Sequence, residues 1–193
     1  MDLLGIIRQL QAGPVHVVGF SAATAVLAAV RAPDLMRTLT IIEPNVPSLL
    51  EGDPEGQSVL AWWRDANAQV LADAAGDPER HAILWFELVN QRGPGTFAEQ
   101  PAAFREMWIA NMTTPRSAPG PAPVDCRALR ATSVPTLAVG SEDGMRYSRA
   151  ILDRLDACLP DSRLVVLAGT THFLTYQAPN AFNDLLLGFL GDH

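Results

Sequence analysis

The sequence predicts an α/β protein: a parallel sheet of about four strands, flanked by helices and interrupted by a helical insertion. Three observations lead there. Short β-branched runs alternate with helical periodicity over residues 1–45, and the same rhythm returns over 126–193. Between them, over 46–125, the pattern is helical and aromatic, with no strand run. Strand–helix–strand alternation calls for parallel pairing through right-handed crossovers. Residues 1–45 and 126–193 therefore form the expected core, and 46–125 an inserted helical lobe with a Pro-rich linker.

Each element has a local cause. Leu3, Ile6, Ile7 and Leu10 recur at helical spacing, and Gly13-Pro14 ends that helix. Val15–Gly19 is a short apolar run that reads as a buried strand. Ser21–Arg31 is Ala-rich and helix-prone, stopping before Pro33. Thr38–Glu43 is a second β-branched run, closed by Pro44. In the insertion, Val59, Leu60, Trp62, Trp63, Val70 and Leu71 give one helical pattern; Ile83, Leu84, Phe86 and Leu88 give another; Phe104, Met107 and Trp108 give a third. Pro115, Pro119, Pro121 and Pro123 mark a semi-rigid connector over 113–125. The core then resumes with strand Val134–Gly140, a helix near Arg146–Leu159, strand Ser162–Ala168 and a helix near Pro179–Leu190.

Composition removes several classes of function. A chain of 193 residues can bury about 70% of the surface it exposes unfolded. With 48% hydrophobic and 18% charged residues, it is not a disordered chain. Fourteen basic against twenty-one acidic residues leave a net charge of −7 with no Lys/Arg cluster, a poor match to nucleic acid. Cys126 and Cys158 stand in no CxxC or Cys/His spacing, so neither zinc nor any other metal or cofactor is expected. They are expected to stay unpaired, because the chain fits a secreted class poorly. MDLLGIIRQLQAG lacks the basic region and cleavage site of a signal peptide, and the apolar stretch Ala22–Val30 is too short to span a bilayer. The expectation is a cytoplasmic protein without membrane contact.

Three segments carry candidate chemistry. Val15–Gly19 runs through Gly19-Phe20-Ser21-Ala22-Ala23 straight into a helix. A serine on so tight a strand-to-helix turn is pushed out into an exposed, strained position, its neighbouring amide at a helix N-terminus. The turn needs small residues two positions either side, and Gly19 and Ala23 supply them. The same serine could instead do no more than cap the helix. After strand Val134–Gly140 comes Ser141-Glu142-Asp143-Gly144, and after strand Ser162–Ala168 comes Gly169-Thr170-Thr171-His172-Phe173. Both follow the C-terminal ends of strands, the edge at which sites collect in parallel sheets. Ser21, Asp143 and His172 thus share one rim, in that chain order.

In these segments the chain resembles the α/β-hydrolase superfamily, in particular its cap-bearing, esterase-like members. GPVHVVGFSAA is similar to the nucleophile elbow, VPTLAVGSED to the acid strand and loop, and AGTTHFLTYQAPNAFNDLLLGFL to the histidine loop and final helix. The insertion lies where that family carries its lid. The resemblance implies Ser21 as nucleophile, His172 as general base, Asp143 as the orienting carboxylate and the Ala22 amide as an oxyanion donor. Glu43, at the end of the second strand, is the alternative acid, where some relatives carry it. Phe20, Trp85 and Trp108 are candidate substrate-binding residues, although aromatic residues at helical spacing also build cores. His16, His81 and His193 are expected to be structural or solvated.

The implied activity is ester hydrolysis through an acyl-enzyme, on a small-molecule substrate. The family's sheet has about eight strands, of which this chain supplies the last four. The strand Val15–Gly19 would then be bare on one side, an edge for a second copy or another chain to cover. One oxyanion donor comes in the family from a loop that this sequence lacks. The alternative is a hydrolase-derived interaction module without catalysis, or the C-terminal part of a longer hydrolase.

Overall fold

The computed structural model describes residues 3–52, 54–113 and 122–193. Pro115, Pro119 and Pro121 of the expected connector lie outside the described residues. Helix α1 (Leu3–Leu10) leads to strand β1 (Val15–Phe20), helix α2 (Ala23–Arg31) and strand β2 (Met36–Ile42). Helices α3 (Pro54–Ala74), α4 (Pro78–Asn90), α5 (Ala102–Met112) and α6 (Cys126–Arg130) follow. Strand β3 (Thr136–Ser141), helix α7 (Arg146–Cys158), strand β4 (Ser162–Leu167), helix α8 (Leu174–Gln177) and helix α9 (Pro179–Gly191) complete the order. No helix among the described residues is long and apolar enough to cross a membrane.

The four strands pair in the order β1-β2-β3-β4, all parallel. A sheet that grows in one direction through crossovers of constant hand puts successive connections on one face. The packing agrees. Val17, Leu39 and Ile41 share a core with the buried faces of α2 and α7, including Val26, Ile151 and Leu155. On the other face Ile42, Leu137 and Val139 pack against Leu174, Phe182 and Phe189 of α8 and α9. The chain therefore changes face in the loop after β4, the loop that carries His172. All four strands end at one rim, and the functional candidates sit on it.

Among the described residues, strand β1 has a neighbour on one side only. Its alternate residues Val18 and Phe20 remain 47% and 42% exposed. They lie on the face that α8 and α9 cover further along the sheet.

The structure corrects the expectation that the cysteines stay unpaired: Cys126 and Cys158 form a disulfide, with Cα atoms 5.1 Å apart. The physical reason is tertiary. The start of α6 packs against the end of α7, bringing together two residues 32 apart in sequence, which no local spacing reveals. A loop of that length implies about 3–4 kcal/mol of stabilisation from the chain-entropy model. The double variant Cys126→Ser/Cys158→Ser is expected to melt about 8–15 °C lower, measured by circular dichroism without reductant.

Candidate active site

Ser21 owes its position to the turn between β1 and α2. Gly19 is required there, since a Cβ would lie 2.8 Å from the Cβ of Ala25 on the following helix. Ser21 itself has a φ of 52°, in the left-handed region that non-glycine residues avoid. Its amide donates to the Ile42 carbonyl at 2.8 Å, tying the turn to the end of β2. Ala22 is the N-cap of α2 in extended conformation, with no side chain capping the helix. The first N–H groups of α2 are thus not used up by a cap, beside a hydroxyl and at the positive end of the helix. The alternative in which Ser21 merely caps α2 does not fit, because Ala22 holds that position.

The carboxylate against His172 belongs to Glu43, not Asp143. Glu43 follows β2 with a φ of 46° and is 2% exposed. Its Oε1 accepts two hydrogen bonds from Ser141, one from the amide and one from the hydroxyl, both 2.8 Å. Its Oε2 lies 3.4 Å from Nδ1 of His172. One oxygen is thereby anchored and the other turned to the imidazole. Gly144 keeps that arrangement open, because a Cβ there would collide with the Ser141 hydroxyl.

Asp143 faces outward. Its side chain is 56% exposed and lies 3.9 Å from the Arg92 guanidinium, while its amide donates to the Thr170 carbonyl. Glu142 accepts from the amide of Gly169 at 2.9 Å. The two acidic residues after β3 thus brace the loop after β4. The end of α4 and the residues after it also brace this loop: Thr171 donates to Asn90 Oδ1, and Arg92 donates to the Gly169 carbonyl. His172 is 8% exposed, with the rings of Phe20 and Phe173 against it.

Ser21, Glu43 and His172 line one cavity of about 240 Å³. Phe20, Trp85 and Trp108, expected as substrate contacts, line it too, together with Trp63 and Met145. The indole of Trp108 is fixed by donating to the Ala82 carbonyl. Trp63 stacks on Tyr147 with ring centroids 4.7 Å apart. Tyr147 donates its hydroxyl to Asn45 Oδ1 at 2.7 Å. Burial pushes that phenol well above the ordinary tyrosine range, against a smaller opposing pull from Arg64, so it stays a neutral donor. A larger cavity, of about 320 Å³, lies across Phe173 between α4 and α8 and touches none of the three.

Sequence reasoning did not single out Asn45, Tyr147 or Ser148 on this wall, nor Ser141 behind Glu43. Their signal is placement: Asn45 and Ser141 stand at or just past the C-terminal ends of β2 and β3, and Tyr147 and Ser148 in the first turn of α7, the helix that follows β3.

Residues 1–185 match the model of the alpha/beta hydrolase family. The chain belongs to that family. No curated protein matches the sequence. Among solved structures, the carboxylesterase CesB of Bacillus subtilis superposes with a TM-score of 0.72 at 16% identity, over 99% of this chain and 65% of CesB. MGS-M2, an alpha/beta hydrolase from a Medee basin deep-sea metagenome, gives 0.71 at 17% identity, over 98% of this chain and 69% of its own. A hydrolase from Pseudomonas aeruginosa gives 0.66 at 22%, over 98% and 69%. These likenesses carry the alpha/beta hydrolase fold; the chain spans roughly two thirds of each relative.

Proposed function

We propose that this chain hydrolyses a carboxylic ester through an acyl-enzyme on Ser21, with His172 as base and Glu43 as the carboxylate that orients it. The observation that carries the reading is the serine in left-handed conformation on the same cavity as a buried imidazole–carboxylate pair. Glu43 at Nδ1 favours the tautomer in which Nε2 is the free acceptor. Ser21 Oγ attacks the ester carbonyl while Nε2 takes its proton, and the Ala22 amide donates to the oxygen that becomes negative. The tetrahedral intermediate collapses, the C–O bond to the alcohol breaks, and His172 returns the proton to the leaving alcohol. Water then attacks the acyl-enzyme as His172 takes its proton, and when the Ser21–acyl bond breaks His172 returns that proton to Ser21 Oγ, releasing the acid and restoring the hydroxyl.

Family membership supports hydrolytic chemistry in general; the fold alone does not choose the substrate. CesB is a carboxylesterase, but at its identity only the fold transfers, so the ester class rests on the three side chains. A fluorophosphonate probe is expected to label the intact protein once, on the peptide containing Ser21, as read by mass spectrometry. Labelling should vanish in Ser21→Ala and weaken strongly in His172→Ala. Absent labelling of the unaltered protein, or undiminished labelling of Ser21→Ala, would overturn the proposal.

A further inference from the structure

We infer that the substrate of this site carries a neutral, hydrogen-bond-accepting oxygen on a compact ring-sized apolar group, and that Ser148 and Asn45, the latter oriented by Tyr147, recognise that oxygen. The inference rests on the ester-hydrolase reading of Ser21 and deepens it. Glu43 and His172 aside, none of the residues lining the cavity is charged. An ionised substituent would lose its water there without gaining a counter-ion, which disfavours charged acyl groups. The apolar wall is aromatic: Trp63, Trp85 and Trp108 are all in it, with Trp63 and Trp85 tilted 56° to each other. Such walls suit a ring in offset or edge-on contact. A cavity of about 240 Å³ lies just below the range of about 300–1,000 Å³ usual for ligand pockets, room for one ring with a short arm.

The polar part of the wall has unspent capacity. Ser148 is only 2% exposed, lines the cavity, and its hydroxyl has no hydrogen-bond partner among the described residues. The hydroxyl reaches the open cavity, where a guest oxygen can take the place of the water it would otherwise bind. The Tyr147 hydroxyl engages the acceptor oxygen of Asn45, an exposed residue at the cavity mouth, which leaves its amide nitrogen open to the cavity and to solvent. Two donors, from Ser148 and Asn45, thus stand on the wall beside the Tyr147 oxygen. Stacking of Trp63 on Tyr147 makes the ring wall and the polar wall one rigid unit. Donors of this kind select an oxygen substituent and discriminate against the analogue that lacks it.

The test uses the full chain as Ser21→Ala, so that binding is read without turnover. Methyl 3-phenylpropanoate and its 2-, 3- and 4-hydroxyphenyl isomers are titrated, following tryptophan fluorescence excited at its red edge. At least one isomer is expected to bind about tenfold tighter than the parent, a typical gain for one buried hydrogen bond. Ser148→Ala on the same background should bring that preference to within about twofold while leaving parent affinity unchanged. Tyr147→Phe, which frees Asn45 to rotate, should reduce it as well. Equal affinities for all four esters, or a preference that survives both substitutions, would overturn the inference. Failure of wild-type protein to hydrolyse these esters would count against the ester chemistry alone, since the isomer preference is measured without a nucleophile.

Discussion

Replacing Ser21 by alanine is expected to lower kcat on an activated ester by about 10⁴- to 10⁶-fold, the range expected when the nucleophile of such a triad is removed. Substrate affinity and melting temperature should stay near their original values. Without the Ser21 hydroxyl no acyl-enzyme can form, so burst kinetics with p-nitrophenyl acetate should disappear along with turnover. Ser21→Gly separates chemistry from backbone strain. The residue at position 21 has a φ of 52°. Glycine adopts that conformation freely, and the variant should be about 1 kcal/mol more stable in urea denaturation while equally inactive. A gain in stability with loss of catalysis would identify the left-handed serine as strain maintained for function. If Ser21→Ala kept even a tenth of the activity, the nucleophile would lie elsewhere.

The elements that set their own pattern were the ones legible in the sequence. Val15–Gly19 and Thr38–Glu43 are rich in β-branched residues, and each appears as a strand within two residues of the expected ends. Strand β2 is buried along most of its length, whereas β1, expected as a buried strand, is exposed on one face because no helix covers Val18 and Phe20 there. Ser21 was legible because a strand, a glycine, a serine and an alanine-rich helix leave the backbone few ways to turn. The carboxylate was harder. Glu43 and Asp143 both stand just past the ends of adjacent parallel strands, so chain position gives them equal claims. What separates them is tertiary: Ser141 presents two donors to Glu43, while Arg92 and Thr170 hold Asp143 at the surface. The disulfide and the Asn45–Tyr147 pair were hidden for the same reason, being 32 and 102 residues apart in sequence.

The two carboxylates make opposite kinetic predictions. Glu43→Gln is expected to reduce kcat by about 10⁴-fold, as when the orienting acid of a serine triad becomes an amide. The amide oxygen can still accept from the Ser141 amide and hydroxyl, which leaves the NH2 group facing Nδ1 of His172. A donor at that position forces the proton onto Nε2, so the imidazole can no longer accept from Ser21. The fold should hold, since the Ser141 donors stay satisfied and no buried charge is left alone. Asp143→Asn, by contrast, breaks only a half-exposed pair with Arg92, worth about 0–1 kcal/mol of stability, and kcat should change less than about threefold. Gly144→Ala provides an intermediate case without touching either acid. The new methyl displaces the Ser141 hydroxyl, Glu43 loses one of its two anchors, and kcat should fall about tenfold with KM little altered, the signature of lost positioning rather than lost binding. Should Asp143→Asn abolish turnover while Glu43→Gln spares it, the acid would have to reach His172 by a rearrangement of the loop after β3. The contact between Glu43 and Nδ1 would then be structural only.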